Sequence, residues 1–266
     1  MMDQKELIEK ITKEVMQRLE EKSRNQGTGN QGNGQPNSSA ARISATELAS
    51  YIDHTLLKPD AVESQFEQLC DEAVKYKFKS VCVNSSWVPF VAKKLRGTGI
   101  IICSVIGFPL GGMDTRSKAF EARSAVASGA TELDMVINVG ALKSGNLKLV
   151  EEDIRAIKRA CRSTTLLKVI LETGLLTDAE KIIACEISKK AGADFVKTST
   201  GFAGSGATIK DIVLMRRIVG PAMGVKASGG IKTFDQAVAL INAGASRLGC
   251  GASVEVITGA TVQGNY

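Results

Sequence analysis

The chain has 266 residues, of which 44% are hydrophobic and 23% are charged, a composition typical of one large globular domain. No apolar run reaches the roughly 18 residues that a membrane-spanning helix needs. The net charge of +6 is dispersed and few aromatic residues accompany it, so we expect an anionic metabolite rather than nucleic acid as partner. The single histidine, His54, excludes a metal site of several imidazoles, and we predict that it is a hydrogen-bonded structural residue.

The first 41 residues differ in pattern from the rest of the chain. Residues 3–22 place apolar side chains at helical spacing, which predicts an amphipathic helix too polar to insert into a bilayer. Residues 23–41 contain four glycines and no large aliphatic side chain, which predicts a flexible linker. We therefore divide the chain into a targeting helix at 1–22, a linker at 23–41 and a folded domain at 42–266.

The folded domain alternates short apolar runs with longer amphipathic stretches. Strands are predicted near 51–54, 80–83, 101–106, 132–137, 166–171, 194–197, 224–227 and 247–250. Helices are predicted near 61–76, 86–96, 115–128, 148–161, 178–190, 209–219 and 234–243, with a short one after 252. This pattern predicts an α/β fold, a closed (β/α)₈ or TIM barrel. The alternative is an open doubly wound sheet, but its glycine-rich first turn is absent.

Three lysines stand inside predicted apolar strands. Lys168, Lys197 and Lys226 recur every 29 residues, one in each of three consecutive βα units. Outward positions on such strands are covered by helices, where a lone ammonium would be costly. We therefore expect the three side chains inside the barrel near the carboxyl ends of the strands, where barrel active sites lie. The alternative is that one or more of them only pair with carboxylates.

Two lysines on neighbouring strands can produce an amine nucleophile without a metal. A free lysine has a pKa of about 10.4, and Schiff-base chemistry at neutral pH needs a value of about 7. A second ammonium at ~5 Å supplies about 3 kcal/mol of the difference. We predict that Lys197 is the nucleophile of a class I aldolase and Lys226 is the neighbouring cation. Asp134 is the candidate acid/base, or alternatively a structural partner of Lys168 or Lys197.

Glycine-rich turns follow the last predicted strands. At this end of a barrel, backbone amides often hold a phosphate group, although glycine is also common in such loops for structural reasons. The candidate phosphate-binding residues are Gly201, Ser228, Gly229, Gly230, Gly249 and Gly251.

Seven segments together resemble the deoxyribose-phosphate aldolase family. They are DHTLLKPDA, SVCVNSSWV, VIGFPLG, ELDMVINVGALKSG, KVILETGLL, KTSTGF and VKASGGI, in this order over about residues 47–258. The resemblance implies a metal-free and cofactor-free enzyme that reversibly joins acetaldehyde and glyceraldehyde 3-phosphate to give 2-deoxyribose 5-phosphate. Two other functions are kept as alternatives. One is another class I sugar-phosphate aldolase or transaldolase, and the other is a non-catalytic barrel that binds phosphorylated metabolites.

The resemblance also implies roles for individual residues. Lys197 would form the Schiff base, Lys226 would lower its pKa, Asp134 would relay protons and Lys168 would support this network. The C-terminal Tyr266 is similar to a mobile tail residue of the family that assists proton transfer. The chain departs from the family after Gly249, where Cys250-Gly251-Ala252 replaces a run with serines and Ser253 follows one position later, which leaves the hydroxyl contacts to phosphate in doubt.

The N-terminal extension resembles an encapsulation peptide of bacterial microcompartments. This implies a cytoplasmic enzyme and a location inside such a compartment, with shell or core proteins as partners of residues 3–22. A coiled-coil oligomerisation helix is the main alternative, while the many glutamates disfavour a cleaved transit peptide. We also expect a homo-oligomer, and six reduced cysteines without disulfides.

Overall fold

Eight parallel strands close into a barrel in the computed structural model, which describes residues 43–260. Each strand pairs with its neighbours in the chain, and β8 pairs with β1 to close the sheet. The predicted TIM barrel is therefore confirmed and the open sheet is wrong. The strands are β1 (Ile52–Leu56), β2 (Ser80–Val83), β3 (Ile101–Ile106), β4 (Glu132–Val136), β5 (Leu166–Ile170), β6 (Phe195–Lys197), β7 (Gly224–Ser228) and β8 (Arg247–Cys250).

Helices surround the barrel and connect successive strands. They are α1 (Ala45–Ala49), α2 (Glu63–Tyr76), α3 (Val88–Lys94), α4 (Thr115–Ala127), α5 (Val139–Lys143), α6 (Leu147–Ala160), α7 (Asp178–Lys190), α8 (Ile209–Val219), α9 (Phe234–Asn242) and α10 (Ser253–Thr258). Short 3₁₀ turns at Ser85–Trp87 and Thr173–Leu175 follow β2 and β5.

The strands form where the sequence is apolar on both faces. The five residues of β4 are all buried, as are the four of β2, because one face packs inside the barrel and the other packs against helices. The predicted strand boundaries are close to those observed, and those of β2, β3 and β8 agree at both ends.

Side-chain caps fix where several helices begin. Asp114 accepts hydrogen bonds from the second and third amides of α4, and Thr177 forms a reciprocal capping box with Glu180 at the start of α7. The side chains of Thr208 and Thr233 likewise each accept a hydrogen bond from an amide in the first turn of α8 and α9. Such caps satisfy amides that have no partner within the helix, so the loops before these helices end at defined points.

Two short helices were absent from the prediction. Helices α1 and α5 have five residues each, too few to show the apolar period by which a longer helix is recognised. The predicted helix at 3–22, the linker at 23–41 and Tyr266 lie outside the described residues. Between residues 43 and 260, no helix has both the length and the apolar character to cross a membrane.

Candidate active site

The barrel register brings the three strand lysines together. Lys197 and Lys226 are direct partners on β6 and β7, and Lys168 on β5 is the partner of Asp134 on β4. The exposed fractions of Lys168, Lys197 and Lys226 are 0%, 2% and 0%. The predicted inward orientation is therefore observed for all three side chains.

Asp134 is the centre of this cluster. Its Oδ2 accepts hydrogen bonds from Lys197 Nζ at 2.8 Å and from Lys226 Nζ at 2.7 Å, and its Oδ1 accepts one from Lys168 Nζ at 2.8 Å. Because Lys197 and Lys226 contact the same oxygen, their nitrogens cannot be further apart than the sum of these two distances. Burial would raise the pKa of Asp134, but the three lysines outweigh it and hold that pKa well below its usual range.

Three further charged residues complete the cluster, and the sequence interpretation did not single them out. Arg247 Nη1 lies 2.7 Å from Asp53 Oδ1 and 2.9 Å from Glu132 Oε2. Asp53 also contacts Lys226, and Glu132 Oε2 lies 2.6 Å from Lys168 Nζ. All three stand in predicted apolar strands, so the signal that identified the lysines, a charge within such a strand, would also have found them.

Lys226 and Lys168 are held as cations by these carboxylates. Burial disfavours the charge on Lys226, but Asp134 and Asp53 outweigh it and raise its pKa above the ordinary value. Burial also disfavours the charge on Lys168, but Asp134, Asp53 and Glu132 together outweigh it, so the pKa of Lys168 is raised as well. The cluster thus supplies a permanent positive charge next to Lys197.

A cavity of about 520 Å³ opens at the carboxyl ends of the strands, and Lys197 is the one cluster lysine that lines it. All six predicted phosphate-binding residues line the same cavity. The structure therefore brings the candidate nucleophile and the glycine-rich turns to one space, while the roles of these residues stay predictions. Lys168, Lys226 and Asp134 are buried within the barrel and do not line the cavity, and Asp134 links Lys197 to the other two lysines.

Comparison with known proteins identifies the family. Residues 48–260 match the family described as DeoC/LacD family aldolase. The chain belongs to this family. The aldolase is also 56% identical over 220 residues to a deoxyribose-phosphate aldolase of Streptococcus gordonii, a match that spans 83% of this chain and 100% of the relative.

Solved structures agree with this assignment of the aldolase. A crystal structure described as a putative deoxyribose-phosphate aldolase from Coccidioides immitis is 39% identical, with a TM-score of 0.80, over 93% of this chain and 97% of that one. The tetrameric deoxyribose phosphate aldolase from Aeropyrum pernix is 36% identical, with a TM-score of 0.76, over 81% of this chain and 91% of that one.

The glycine-rich turns of the aldolase expose backbone amides to the cavity. Gly229 and Gly230 have φ angles of 89° and 74°, a region that glycine adopts at little cost. Among residues 43–260, neither amide has a hydrogen-bond acceptor. Ser228 differs, because its amide donates to Thr198 Oγ1 at 3.0 Å. The turn therefore offers two consecutive free amides, an arrangement suited to an anion.

The loop after Gly249 receives no hydroxyl at the cavity from Ser253. Ser253 is fully buried, and its Oγ donates to Cys250 O at 2.9 Å. The same oxygen lies 2.9 Å from His54 Nδ1, so Ser253 serves the packing behind the loop. On this loop, phosphate contacts would come from the backbone of Gly251 and Ala252, which line the cavity.

His54 and the cysteines have structural positions. His54 is 4% exposed and its Nε2 lies 2.8 Å from Glu72 Oε2, so the predicted hydrogen-bonded structural role is confirmed, although His54 lies within β1 and not at its end. The six cysteines are free thiols, as predicted. Burial raises the pKa of Cys250 beside the cavity to about 12, which makes it a weak nucleophile.

Several lining residues escaped the sequence interpretation. Thr200, Ser205 and Lys232 contribute to the cavity wall. Lys232 adds a positive charge directly after the Gly229-Gly230 turn and is exposed, which suits a phosphate group. The sequence could have indicated Lys232, because it stands two residues after a double glycine. Thr200 and Ser205 could be recognised as lining residues only from the path of the loop after β6.

Proposed function

We propose that this aldolase cleaves 2-deoxy-D-ribose 5-phosphate reversibly to acetaldehyde and D-glyceraldehyde 3-phosphate through a Schiff base on Lys197. The observation that carries the proposal is the position of Lys197, which contacts the charged cluster and also lines the cavity. The family membership and the names of the relatives support the choice of substrate.

The charged cluster around Lys197 is not balanced when all of its groups are ionised. Burying unpaired charge is costly, and the cluster has one cation more than it has carboxylates. Removing the proton of Lys197 leaves equal numbers of positive and negative groups. Within the described part of the chain, the cations are Lys168, Lys197, Lys226 and Arg247, and the carboxylates are Asp53, Glu132 and Asp134.

In the proposed reaction, the neutral Nζ of Lys197 attacks the C1 aldehyde and forms a carbinolamine. Loss of water gives the protonated Schiff base, which attracts the electron pair of the C2–C3 bond. The C3 hydroxyl loses its proton to a base, the bond breaks and glyceraldehyde 3-phosphate leaves. The resulting enamine takes a proton at C2, and hydrolysis then releases acetaldehyde and restores the amine.

Asp134 is the proposed proton carrier of these steps. Its carboxylate lies 2.8 Å from Lys197 Nζ, within reach of protons exchanged at the carbinolamine. Lys226 would keep the region positive, and Lys168 would hold the second oxygen of Asp134. Tyr266 is proposed to assist proton transfer at C2, on the basis of the family resemblance alone.

The phosphate group of the substrate would lie against the glycine-rich turns. Gly229 and Gly230 would donate their free amides, and Lys232 would add charge at the rim. The further contacts proposed are those of Gly201, Ser228, Gly249 and Gly251, which line the same cavity. Because the turns and Lys197 share this cavity, a phosphate held there places the rest of a short sugar near the amine.

Borohydride reduction with substrate tests the proposed nucleophile. A Schiff base reduced in the presence of 2-deoxyribose 5-phosphate or acetaldehyde should leave a stable adduct on Lys197, located by peptide mass spectrometry. The Lys197→Ala variant should give no adduct and lose at least ~10³-fold in kcat, since the covalent route disappears. Lys189→Ala, on the outer helix α7, is the matched control and should behave as the wild type.

Two outcomes would contradict the proposal. One is an adduct that is absent from the wild type or found on a different lysine. The other is turnover that survives in Lys197→Ala. A panel of fructose and keto-deoxy sugar phosphates in the same assay separates this substrate from those of other class I aldolases, which should be cleaved at least ~10²-fold more slowly.

We also propose that residues 3–22 direct the enzyme to a bacterial microcompartment. The pattern of an amphipathic segment followed by a glycine-rich one supports this. The S. gordonii relative is matched along its whole length by 220 residues of this chain, so a further segment exists here that the relative lacks. Retaining acetaldehyde, a volatile and reactive product, gives such targeting a chemical reason.

We propose in addition that the enzyme is a homo-oligomer. The A. pernix relative is tetrameric. Large apolar side chains are exposed around the start of α4, where Leu110 is 83%, Met113 43% and Phe120 68% exposed. Exposed apolar residues grouped in this way are typical of surfaces that meet another protein.

A further inference from the structure

Glu172 is a buried acidic residue to which the proposed reaction gives no role. It lies between β5 and the 3₁₀ turn Thr173–Leu175 and is 3% exposed. Its backbone is left-handed, with φ 58° and ψ 61°. Lys77 and Glu172 are the two residues other than glycine with positive φ in the described part of the chain. This conformation is strained for a residue other than glycine, so it persists only where other contacts maintain it.

The Glu172 carboxylate binds the loop that follows the candidate nucleophile. Oε2 accepts hydrogen bonds from the Thr200 amide at 3.2 Å and from Thr200 Oγ1 at 2.5 Å. Thr200 Oγ1 in turn accepts a hydrogen bond from the Phe202 amide at 3.0 Å. No lysine or arginine among residues 43–260 forms an ion pair with Glu172. The carboxylate is thus dedicated to one loop residue that lines the cavity.

A second contact joins the same two loops. A Cβ atom on Gly174 would lie 1.6 Å from Ser205 Oγ, so the turn after β5 packs directly against the loop after β6. That loop then packs against the Gly229-Gly230 turn, because the Ala207 amide donates to Gly229 O at 3.0 Å. A Cβ on Gly206 would lie 2.2 Å from Gly229 O. Contacts therefore run from Glu172 to the turn with two free amides.

We propose that Glu172 is a positioning residue that holds the loop of residues 200–206, and through it the phosphate-binding turns, in place. The left-handed backbone aims the carboxylate at Thr200, and the hydrogen bonds fix the loop on which the Gly229-Gly230 turn rests. Glu172 does not touch the reacting carbons. This inference rests on the proposed function, because it concerns the phosphate subsite of the same cavity.

The positioning role predicts that removing the Glu172 carboxylate weakens phosphate binding but leaves the chemistry at Lys197 largely unchanged. Glu172→Gly keeps the left-handed backbone and removes the carboxylate, so KM for 2-deoxyribose 5-phosphate should rise at least tenfold while kcat changes less than threefold. Glu172→Gln retains an acceptor for the Thr200 amide and should bring KM back to within about threefold of the wild type. Thr200→Val should raise KM like Glu172→Gly, and the double variant should add little, because both remove the same contact.

Labelling of Lys197 with acetaldehyde separates two possible causes of a raised KM. A general loss of structure would reduce this labelling, whereas a loss of phosphate positioning alone would not. Acetaldehyde has no phosphate, so borohydride labelling of Lys197 with acetaldehyde should be unchanged in Glu172→Gly. Lys77→Gly relieves a left-handed residue on the exposed end of α2 and should leave KM and labelling unchanged. It is the matched control for a change of backbone strain alone.

Each result supports or overturns either the positioning role of Glu172 or the proposed function. An unchanged KM in Glu172→Gly overturns the positioning role, as does a loss of acetaldehyde labelling equal to the loss in kcat/KM. Failure of the wild type to be labelled by acetaldehyde contradicts the proposed function itself. A raised KM with intact labelling, together with recovery by glutamine, supports the role.

Discussion

At the scale of single residues, Asp134 combines a proposed role in proton transfer with a contribution to stability. It contacts three lysines while fully buried. Removing one partner of a buried ion pair typically costs about 3–5 kcal/mol, because the remaining charge has no compensation. The same carboxylate that would move protons therefore also neutralises the centre of the barrel, and a substitution there has two separable effects.

Asp134→Asn should change the pH dependence of folding stability. The pKa of Asp134 is lowered on folding, so its stabilising contribution is complete above its usual value of about 4 and is lost as the pH falls through the lower folded value. At pH 7 the variant should be less stable by about 3–5 kcal/mol. The difference should shrink below about pH 4, where the carboxyl group becomes protonated in the unfolded wild-type chain while it stays ionised in the folded one.

Urea unfolding at several pH values between 3 and 7 measures this difference. Asp60→Asn, an exposed loop position, should change the free energy of unfolding by less than about 0.5 kcal/mol at every pH. A difference between Asp134→Asn and the wild type that stays constant into acid would show that the charge of Asp134 does not stabilise the fold.

At the scale of elements, the loops after β5, β6 and β7 form one continuous support for the cavity. Gly206 and Gly229 approach closely: a Cβ on Gly206 would lie 2.2 Å from Gly229 O, and one on Gly229 would lie 3.0 Å from Gly206 Cα. The strands below these loops carry the charged cluster. In the proposed reaction, the loops anchor the substrate and the strands carry the amine chemistry. Changes in the loops should therefore raise KM more than they lower kcat.

Gly229→Ala tests the anchoring part. The added Cβ would lie 3.0 Å from Gly206 Cα, and φ is 89°, so the turn must shift. KM for the phosphorylated substrate should rise about tenfold, the equivalent of about 1.4 kcal/mol, from the displaced amides. Gly259→Ala provides the control, because its left-handed backbone with φ of 74° at the end of α10 also strains alanine but no atom lies within 4 Å of the added Cβ.

Thermal unfolding and steady-state kinetics distinguish the two variants. Both should lose about 1 kcal/mol of stability, since alanine is strained at positive φ. Only Gly229→Ala should raise KM. Equal KM values in the two variants would show that the Gly229 turn does not hold the phosphate.

At the scale of the whole molecule, the N-terminal segment is testable by deletion. Removal of residues 1–41 should leave kcat and KM within about twofold, because the family match covers residues 48–260 and does not include this segment. A tagged full-length protein should co-purify with shell proteins and the deleted form should not. Full co-purification of the deleted form contradicts the targeting proposal. A fall in oligomeric state, measured by light scattering, would instead favour the coiled-coil alternative.

The architecture was predictable because barrel strands are continuous apolar runs and most helices are long enough to show their period. The same pattern placed Lys168, Lys197, Lys226 and Asp134 inside the barrel. Closure into one cluster was not predictable, because the partners of a strand residue depend on register. Thus Arg247 on β8 reaches Glu132 on β4 across the barrel, a pairing that no local spacing indicates.

The loops were less predictable for a related reason. The double glycine at 229–230 is visible in the sequence, but the contact between Glu172 and Thr200 joins residues 28 positions apart. A left-handed backbone at a glutamate has no residue-type signal, since glycine and asparagine are the usual occupants. Ser253 is a further case, because its hydroxyl points away from the cavity and towards His54.

The complete burial of Lys168 and Lys226 has a consequence for the working life of the enzyme. Aldehydes condense with any accessible uncharged amine, and an aldolase meets a high local concentration of them during turnover. The two supporting ammonium groups have no exposed surface and stay protonated, so neither can be consumed by such side reactions. Of the three clustered lysines, only Lys197 lines the cavity where it can meet an aldehyde, and in the proposed reaction hydrolysis restores that amine.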